Sequence, residues 1–100
     1  MSVDRDHVLE TLAAHRDEFR GMGVRHVFLF GSLARGEATK ASDVDVLVEY
    51  EPGTKLSFFR VCDLRYRLED LLGAPVDLVT TGGLRPEIRD EVLSEAIRVA

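Results

Sequence analysis

The feature that most constrains the fold is a short connection between two strand-like segments. Residues 24–30 and residues 43–50 are both rich in β-branched and aromatic side chains, a composition that predicts β-strands. Residues 31–41 between them begin with Gly31 and leave room for one short helical turn. If the two strands are antiparallel, the end of the first lies beside the beginning of the second. The connection would then bring its own first residues and the start of the second strand to one edge of a sheet.

The remaining apolar periodicity predicts three longer helices and a third strand. Residues 4–20 and residues 56–72 carry apolar side chains at helical spacing, and glycine follows each segment. Residues 75–80 predict a short strand. Pro86 fits the first turn of a last helix, expected to pack on its own sheet, with the apolar side chains of Ile88, Val92, Leu93, Ala96 and Ile97. The predicted fold is α/β (α+β): a small mixed β-sheet with packed helices, in the order helix, strand, short helix, strand, helix, strand, helix.

Composition sets the size of the core and excludes several classes of protein. With 45% hydrophobic side chains, residues 1–100 are expected to form a single domain. The longest apolar run is residues 27–30, whereas a membrane helix needs about 20 residues, and the acidic start lacks a secretory signal. A cytoplasmic protein without a membrane partner is expected. The net charge of −5 argues against an extended nucleic-acid partner.

Cysteine and histidine give no sign of a metal site. Cys62 is the single cysteine and lies in an apolar helical pattern, so it is expected to be a small buried side chain. The spacing of the three histidines matches no metal-ligand pattern: His7, His15 and His26.

The pair Gly31-Ser32 stands where the first predicted strand ends. Glycine allows the backbone to turn there, so that backbone N–H groups and the Ser32 hydroxyl point outward at the start of a short helix. Such a turn can cradle a phosphate. The same pair also fits an ordinary strand-to-helix loop, so the turn alone does not identify a binding site.

Two aspartates open the second predicted strand. Asp43 and Asp45 are two residues apart, so both side chains leave the same face of the strand, while the opposite face carries valines that suit a core. Adjacent carboxylates repel each other unless a cation lies between them, and hard oxygen ligands favour Mg²⁺ or Mn²⁺. A solvated polar face is the alternative interpretation of Asp43 and Asp45.

A third carboxylate lies in the third predicted strand. Asp77 is the one charged residue in residues 75–80, where burial of an unpaired carboxylate would be costly. It is therefore expected to bind a cation or to face a wet cleft. The alternative is an ion pair with an arginine such as Arg65 or Arg67.

The turn and the carboxylates together suggest one chemistry. Three carboxylates that hold two divalent cations could bind a nucleoside triphosphate and activate an attacking hydroxyl. A P-loop does not explain the pattern: residues 31–36 have its glycine spacing, but residues 37–38 are Glu-Ala where Lys and Ser or Thr are required. A haloacid-dehalogenase-like site is also disfavoured, because its aspartates close an apolar strand whereas Asp43 and Asp45 open one.

The combined pattern resembles a known superfamily. Gly31-Ser32, ten residues, and then Asp43-x-Asp45 resemble the signature of the nucleotidyltransferases that share their fold with the polymerase-beta palm. The short length and the segments 35–38 and 84–89 are similar to the minimal nucleotidyltransferase (MNT) branch. Members of that branch are antitoxin partners of HEPN-domain toxins.

The resemblance assigns roles to the three carboxylates. Asp43 and Asp45 match the metal-binding pair. Asp77 matches the third carboxylate, which in active members binds the catalytic metal and accepts the proton of the attacking hydroxyl. The implied cofactor is Mg²⁺ or Mn²⁺, held by all three residues, which are also the implied catalytic residues.

The resemblance also implies a substrate and a partner. Gly31 and Ser32 match the turn that holds the triphosphate, and Arg35 lies where it could reach a phosphate. In active members, AMP passes from ATP to a tyrosine of the cognate HEPN toxin, which forms a hetero-oligomer with the antitoxin. An alternative stays open: a nucleotide-binding partner that neutralises a toxin by contact without catalysis.

Overall fold

The structure is a computed structural model that describes residues 4–36 and 43–99. The predicted short segment 31–41 runs beyond the first of these ranges, so its residues 37–41 lie outside the described part, as does Ser42. The described residues form ten elements: α1 (Arg5–Ala14), α2 (Arg16–Gly21), β1 (Val24–Phe30), α3 (Gly31–Ala34), β2 (Val44–Tyr50), α4 (Phe58–Leu72), β3 (Val76–Thr80), a 3₁₀ turn (Thr81–Gly83), α5 (Pro86–Glu95) and β4 (Ile97–Arg98).

The strands form one mixed sheet in the order β3-β2-β1-β4. β1 is antiparallel to β2 and to β4, whereas β2 and β3 are parallel. Phe30, the last residue of β1, pairs with Asp45 near the start of β2. The predicted meeting of the end of β1 with the start of β2 is thus confirmed.

The core lies between one face of the sheet and the helices. Val44, Val46 and Val48 are buried on this face, as the alternation of β2 predicts. Buried helix residues face them from α1, α2 and α4: Val8, Leu12, Phe19, Leu64, Leu68 and Leu72. Leu47, which lies on the same face of β2 as Asp45, is also fully buried. Both faces of β2, which lies between β1 and β3 in the sheet, therefore carry buried side chains.

The predicted helix 4–20 is divided at His15. The imidazole Nδ1 of His15 bonds the carbonyl oxygen of Thr11 at 2.8 Å. That carbonyl is the ordinary helical acceptor for the backbone N–H of His15, which instead donates to the carbonyl of Leu12 at 3.2 Å. Competition between side chain and backbone at Thr11 accompanies the end of α1, and a second helix begins at the next residue.

The helix α4 differs from prediction in its start and in its exposed face. Ser57 caps it by accepting the N–H of Arg60 at 3.2 Å, so the helix begins two residues later than predicted. Its predicted end is confirmed, because Gly73 adopts a left-handed φ of 64°. Of the apolar residues in the predicted segment, Leu64 and Leu68 are buried, whereas Phe58, Phe59 and Tyr66 of the helix and Leu56 before it are exposed. Cys62 is half-buried rather than buried.

The C-terminal segment ends in a strand, whereas the sequence pattern predicted that the last helix continues through Ala96 and Ile97. Ala96 has an extended ψ of 143°, which ends α5, and Ile97 pairs with Leu29 as the start of β4. α5 contributes no buried residue. A hydrogen bond connects α5 to the preceding 3₁₀ turn, because the guanidinium of Arg89 donates to the carbonyl of Thr81 at 3.2 Å. In the described part of the chain, no helix combines the length and the apolar character needed to cross a bilayer.

Candidate active site

The turn after β1 requires glycine for two independent reasons. Gly31 has a φ of +75°, a conformation that side-chain-bearing residues rarely adopt. A Cβ atom at this position would also lie only 2.8 Å from Cγ of Asp45 and 3.1 Å from its Cβ. The backbone of the turn is thus packed directly against the Asp45 carboxylate, which joins the predicted phosphate turn to a predicted metal ligand.

Asp77 lies beside Asp45 across the parallel pairing of β2 and β3. Neighbouring strands are about 4.8 Å apart, so the two side chains leave the sheet next to each other. Asp43 precedes β2 and is exposed, as is Asp77, whereas Asp45 is half-buried. These three residues are termed the carboxylate edge.

The Asp45 carboxyl group lies within electrostatic range of the other two carboxylates. Burial raises the pKa of Asp45 above its ordinary value of 3.8, and the negative charges of Asp77 and then Asp43 raise it further. The positive charge of Arg35 lowers the same pKa. The predicted metal and phosphate residues therefore lie within electrostatic reach of one another.

The carboxylate edge suits a divalent cation in its chemistry but is not a closed set of ligands. Carboxylate oxygens are the ligands that Mg²⁺ and Mn²⁺ prefer. Burial, and then the negative charges of Asp77 and Asp43, raise the pKa of Asp45, and a cation would counter the effect of those charges. Within residues 4–36 and 43–99, however, no three Asp, Glu, His or Cys side chains are grouped so that they could hold a metal. Asp43, Asp45 and Asp77 as joint metal ligands stay a prediction.

The short helix α3 presents the other predicted residues. Ser32 is half-buried in its first turn, where backbone N–H groups have no partner inside a helix. Arg35 follows the helix, and its Nη1 lies 3.6 Å from Oε2 of Glu95 at the end of α5. Both side chains of this ion pair are about half exposed, at 46% and 54%. Arg35 thus acts on the pKa of Asp45 and forms an ion pair with α5, while its contact with a phosphate stays a prediction.

Two residues that the sequence analysis did not single out support the site. Arg5 donates through Nη1 to the carbonyl of Ala34 at 3.2 Å and so connects α1 to the end of α3. Glu69 accepts the N–H of Val76, the residue before Asp77, at 3.0 Å. No local motif marks either residue, because each contact joins elements that are separate in sequence.

The alternative partner for Asp77 is not observed. Arg65 lies 4.0 Å from Glu69, and Arg67 contacts Glu18 and Asp70 at 3.0 Å each. Across the described residues, no ion pair joins Asp77 to either arginine. Asp77 is exposed, which agrees with the expectation that it faces a wet cleft, and it lies beside Asp45.

Comparison with known proteins agrees with this geometry. Residues 12–99 match the family described as the nucleotidyltransferase domain. The chain belongs to this nucleotidyltransferase family. The family match confirms the resemblance inferred from the Gly-Ser turn and the aspartate pair, and with it the predicted fold class.

Similar proteins place this nucleotidyltransferase close to the minimal branch. The protein adenylyltransferase MntA of Thermococcus cleftensis is 42% identical over 95 residues, which cover 94% of each chain. A solved minimal nucleotidyltransferase is 44% identical, with a TM-score of 0.71 over 89% of this chain and 93% of that one. A Shewanella oneidensis MNT antitoxin solved with a tri-AMPylated HEPN toxin is 18% identical, with a TM-score of 0.65 over 92% and 71% of the two chains. At that identity the last similarity shows the fold alone.

Proposed function

We propose that this nucleotidyltransferase is an antitoxin that transfers AMP from ATP to a tyrosine hydroxyl of a HEPN-type toxin. The observation that carries the proposal is the contact between Gly31 and Asp45, with Asp77 beside Asp45 in register. It places a turn suited to phosphate directly against carboxylates suited to a divalent cation. Adenylyl transfer needs these two features side by side, because the metal must lie against the phosphate chain that reacts.

In the proposed mechanism, each residue of the site has a separate task. Asp43, Asp45 and Asp77 would hold Mg²⁺, which supplies charge neutralisation for the phosphates when bound. Ser32 and the backbone N–H groups of the turn bind the β- and γ-phosphates, assisted by Arg35.

The transfer itself is an in-line displacement at the α-phosphate. The acceptor oxygen forms a bond to the α-phosphorus, the bond from that phosphorus to the oxygen bridging to the β-phosphate breaks, and pyrophosphate leaves. Asp77 accepts the proton of the acceptor hydroxyl. Asp77 is exposed, so an acceptor from another protein can reach it.

The similar proteins support the choice of acceptor. The MntA relative is named as a protein adenylyltransferase, and the Shewanella complex contains an AMPylated HEPN toxin. By analogy, the acceptor is a HEPN-type protein that forms a hetero-oligomer with this chain, and the reaction takes place in the cytoplasm, where ATP is available.

A second function is favoured by one observation. The described carboxylates do not form a ready-made metal site. A protein that bound nucleotide without turning it over, and that neutralised the toxin by contact, would not need one. The two functions differ in whether the partner becomes covalently labelled.

A transfer assay separates the two functions. The purified protein is incubated with Mg²⁺, ATP labelled on the α-phosphate and a lysate of the source cells, beside the Asp43→Asn/Asp45→Asn variant and beside a sample with EDTA. We expect a labelled protein band that requires both the aspartates and the metal. If ATP binds and a toxin partner is neutralised but stays unlabelled, the contact function replaces the catalytic one.

A further inference from the structure

Glu69 closes the connection between α4 and β3 at two atoms. Its backbone carbonyl accepts the N–H of Gly73 at 2.8 Å. Its side-chain Oε2 accepts the N–H of Val76 at 3.0 Å. The first bond helps to end the helix at the left-handed Gly73, and the second holds the first residue of the next strand. One residue thus fixes where the chain leaves α4 and where it enters the sheet.

The bond from Glu69 gives the N–H of Val76 an acceptor that the pairing of β3 with β2 does not provide. β3 is the first strand in the sheet order and pairs with β2 on one side. On that side the N–H of Val44 donates to the carbonyl of Pro75 at 2.9 Å. Alternate backbone groups of a strand point to opposite sides, so the N–H of Val76 points to the outer edge. Glu69 supplies the acceptor there, from a partly buried position.

This bond bears on the site because Asp77 directly follows Val76. Asp77 pairs in register with Asp45, one step from the pairing of Val44 with Val76. A shift of Val76 along or away from the sheet would therefore carry Asp77 with it. The position of Asp77 along the strand is thus set by the pairing of β3 with β2 on one side and by the bond of Val76 to Glu69 on the outer edge.

We infer that Glu69 is a positioning residue, whose carboxylate holds Asp77 beside Asp45 through its bond to the backbone of Val76. Glu69 touches neither ATP nor the acceptor. The inference rests on the proposed function, since it assigns Glu69 a role in the transfer that Asp77 performs.

The ion pair of Glu69 with Arg65 is too weak to account for the position of the Glu69 side chain. Its Oε1 lies 4.0 Å from Nε of Arg65, at the limit for an ion pair, and the two side chains are 32% and 44% exposed. Exposed pairs at this helical spacing contribute little to stability. Loss of Arg65 should therefore not reproduce the effect of losing Glu69.

The test compares Glu69→Ala and Glu69→Gln with two control variants. Glutamine keeps an oxygen acceptor for Val76 and loses the charge. Arg65→Ala removes the ion pair and leaves the bond to Val76. Asp70→Ala removes the neighbouring carboxylate of the same helix, which is paired with Arg67 rather than with β3. Amide hydrogen exchange of Val76 and the transfer kinetics are measured for all four.

We expect Glu69→Ala to lower kcat for transfer with little change in KM for ATP. The exchange rate of the Val76 amide should rise roughly two- to tenfold, as expected for the loss of one hydrogen bond. The kcat for transfer should fall about 10- to 100-fold, typical for loss of a residue that orients a ligating group, while KM for ATP changes less than about twofold. Glu69→Gln should restore both quantities, and both controls should resemble the wild type.

Two results would overturn the inference. One is a Val76 amide that exchanges in Glu69→Ala at the wild-type rate. The other is a wild-type kcat in Glu69→Ala when the wild-type protein transfers AMP. If the wild-type protein transfers no AMP, the proposed function fails, and the exchange rate of Val76 alone still decides whether Glu69 holds the strand.

Discussion

The contact between Gly31 and Asp45 joins the two halves of the site at the scale of single residues. The turn has no room for a side chain, because a Cβ atom at Gly31 would run into the Asp45 carboxyl group. It also adopts a backbone conformation that disfavours one. Gly53 shares the positive φ, at 85°, but has no atom within 4 Å of a Cβ position. The two glycines therefore allow the backbone effect and the packing effect to be measured separately.

Gly31→Ala should destabilise the protein more than Gly53→Ala. Alanine in the left-handed region costs about 1–2 kcal/mol, and this is the whole effect expected at Gly53. Forcing the extra methyl group against Asp45 should add about 1–3 kcal/mol at Gly31. Urea denaturation of both variants checks the order. Equal losses would show that the turn can move away from Asp45.

The raised pKa of Asp45 predicts a pH-dependent gain in stability when its charge is removed. Because its folded-state pKa lies above 3.8, the folded protein binds more protons than the unfolded chain from that pH up to the raised value. The stability that Asp45 contributes is therefore fully present below pH 3.8 and is lost as pH rises through the raised pKa. Without divalent metal, Asp45→Asn should melt at a higher temperature than the wild type at about pH 7, and the gap should shrink at about pH 3. A gap that is absent at neutral pH or that grows in acid would contradict the assignment.

At the scale of elements, α4 presents two different faces. Leu64 and Leu68 are fully buried against the sheet, whereas Phe58 and Phe59 are 79% and 77% exposed. The two phenylalanine rings contact each other edge to face, with centroids 6.1 Å apart. The sequence pattern marks all of these positions as apolar, but only the first pair stabilises the core.

Alanine substitutions on the two faces of α4 should lower the free energy of unfolding by unequal amounts. Leu68→Ala leaves a cavity in the core and should lower the free energy of unfolding by about 2–5 kcal/mol. Phe58→Ala removes an exposed ring and should change it by less than about 0.5 kcal/mol. Thermal or urea denaturation of the two variants measures the difference. A large loss in Phe58→Ala would mean that the exposed ring packs against something in solution.

The sequence predicts the elements that local patterns determine. β1 has the predicted bounds, and the left-handed Gly73 ends α4 as predicted, because the signals for both lie within a few residues. The break at His15 depends on which donor binds the carbonyl of Thr11, and the formation of β4 depends on its pairing with the distant β1. Neither is visible in a periodicity.

The site shows the same division between local and distant information. The Gly31-Ser32 turn and the Asp43-x-Asp45 spacing are local, so the sequence predicts their meeting once β1 and β2 are taken as antiparallel. The contact of Glu69 with Val76 and the ion pair of Arg35 with Glu95 join distant elements through long side chains. These contacts follow from packing and not from a motif.

At the scale of the whole molecule, the residues of the candidate site lie at one end of the sheet. The carboxylate edge, the turn at Gly31 and the pair of Arg35 with Glu95 all lie where β1 ends and where β2 and β3 begin. A chain with net charge −5 carries this acidic site without an excess of basic residues for a polynucleotide. A protein acceptor with an accessible hydroxyl fits this arrangement better than an extended nucleic acid.

The mass of the toxin partner after co-expression tests the central claim most directly. The partner is purified from cells that contain the wild-type protein, Asp77→Asn or Asp43→Asn/Asp45→Asn, with Asp70→Ala as a control carboxylate outside the site. We expect AMP on the partner with the wild type and with Asp70→Ala, and none with the two variants of the carboxylate edge. A partner that carries AMP beside every variant, or that is neutralised by the wild-type protein without carrying AMP, would contradict the assignment of adenylyl transfer to this site.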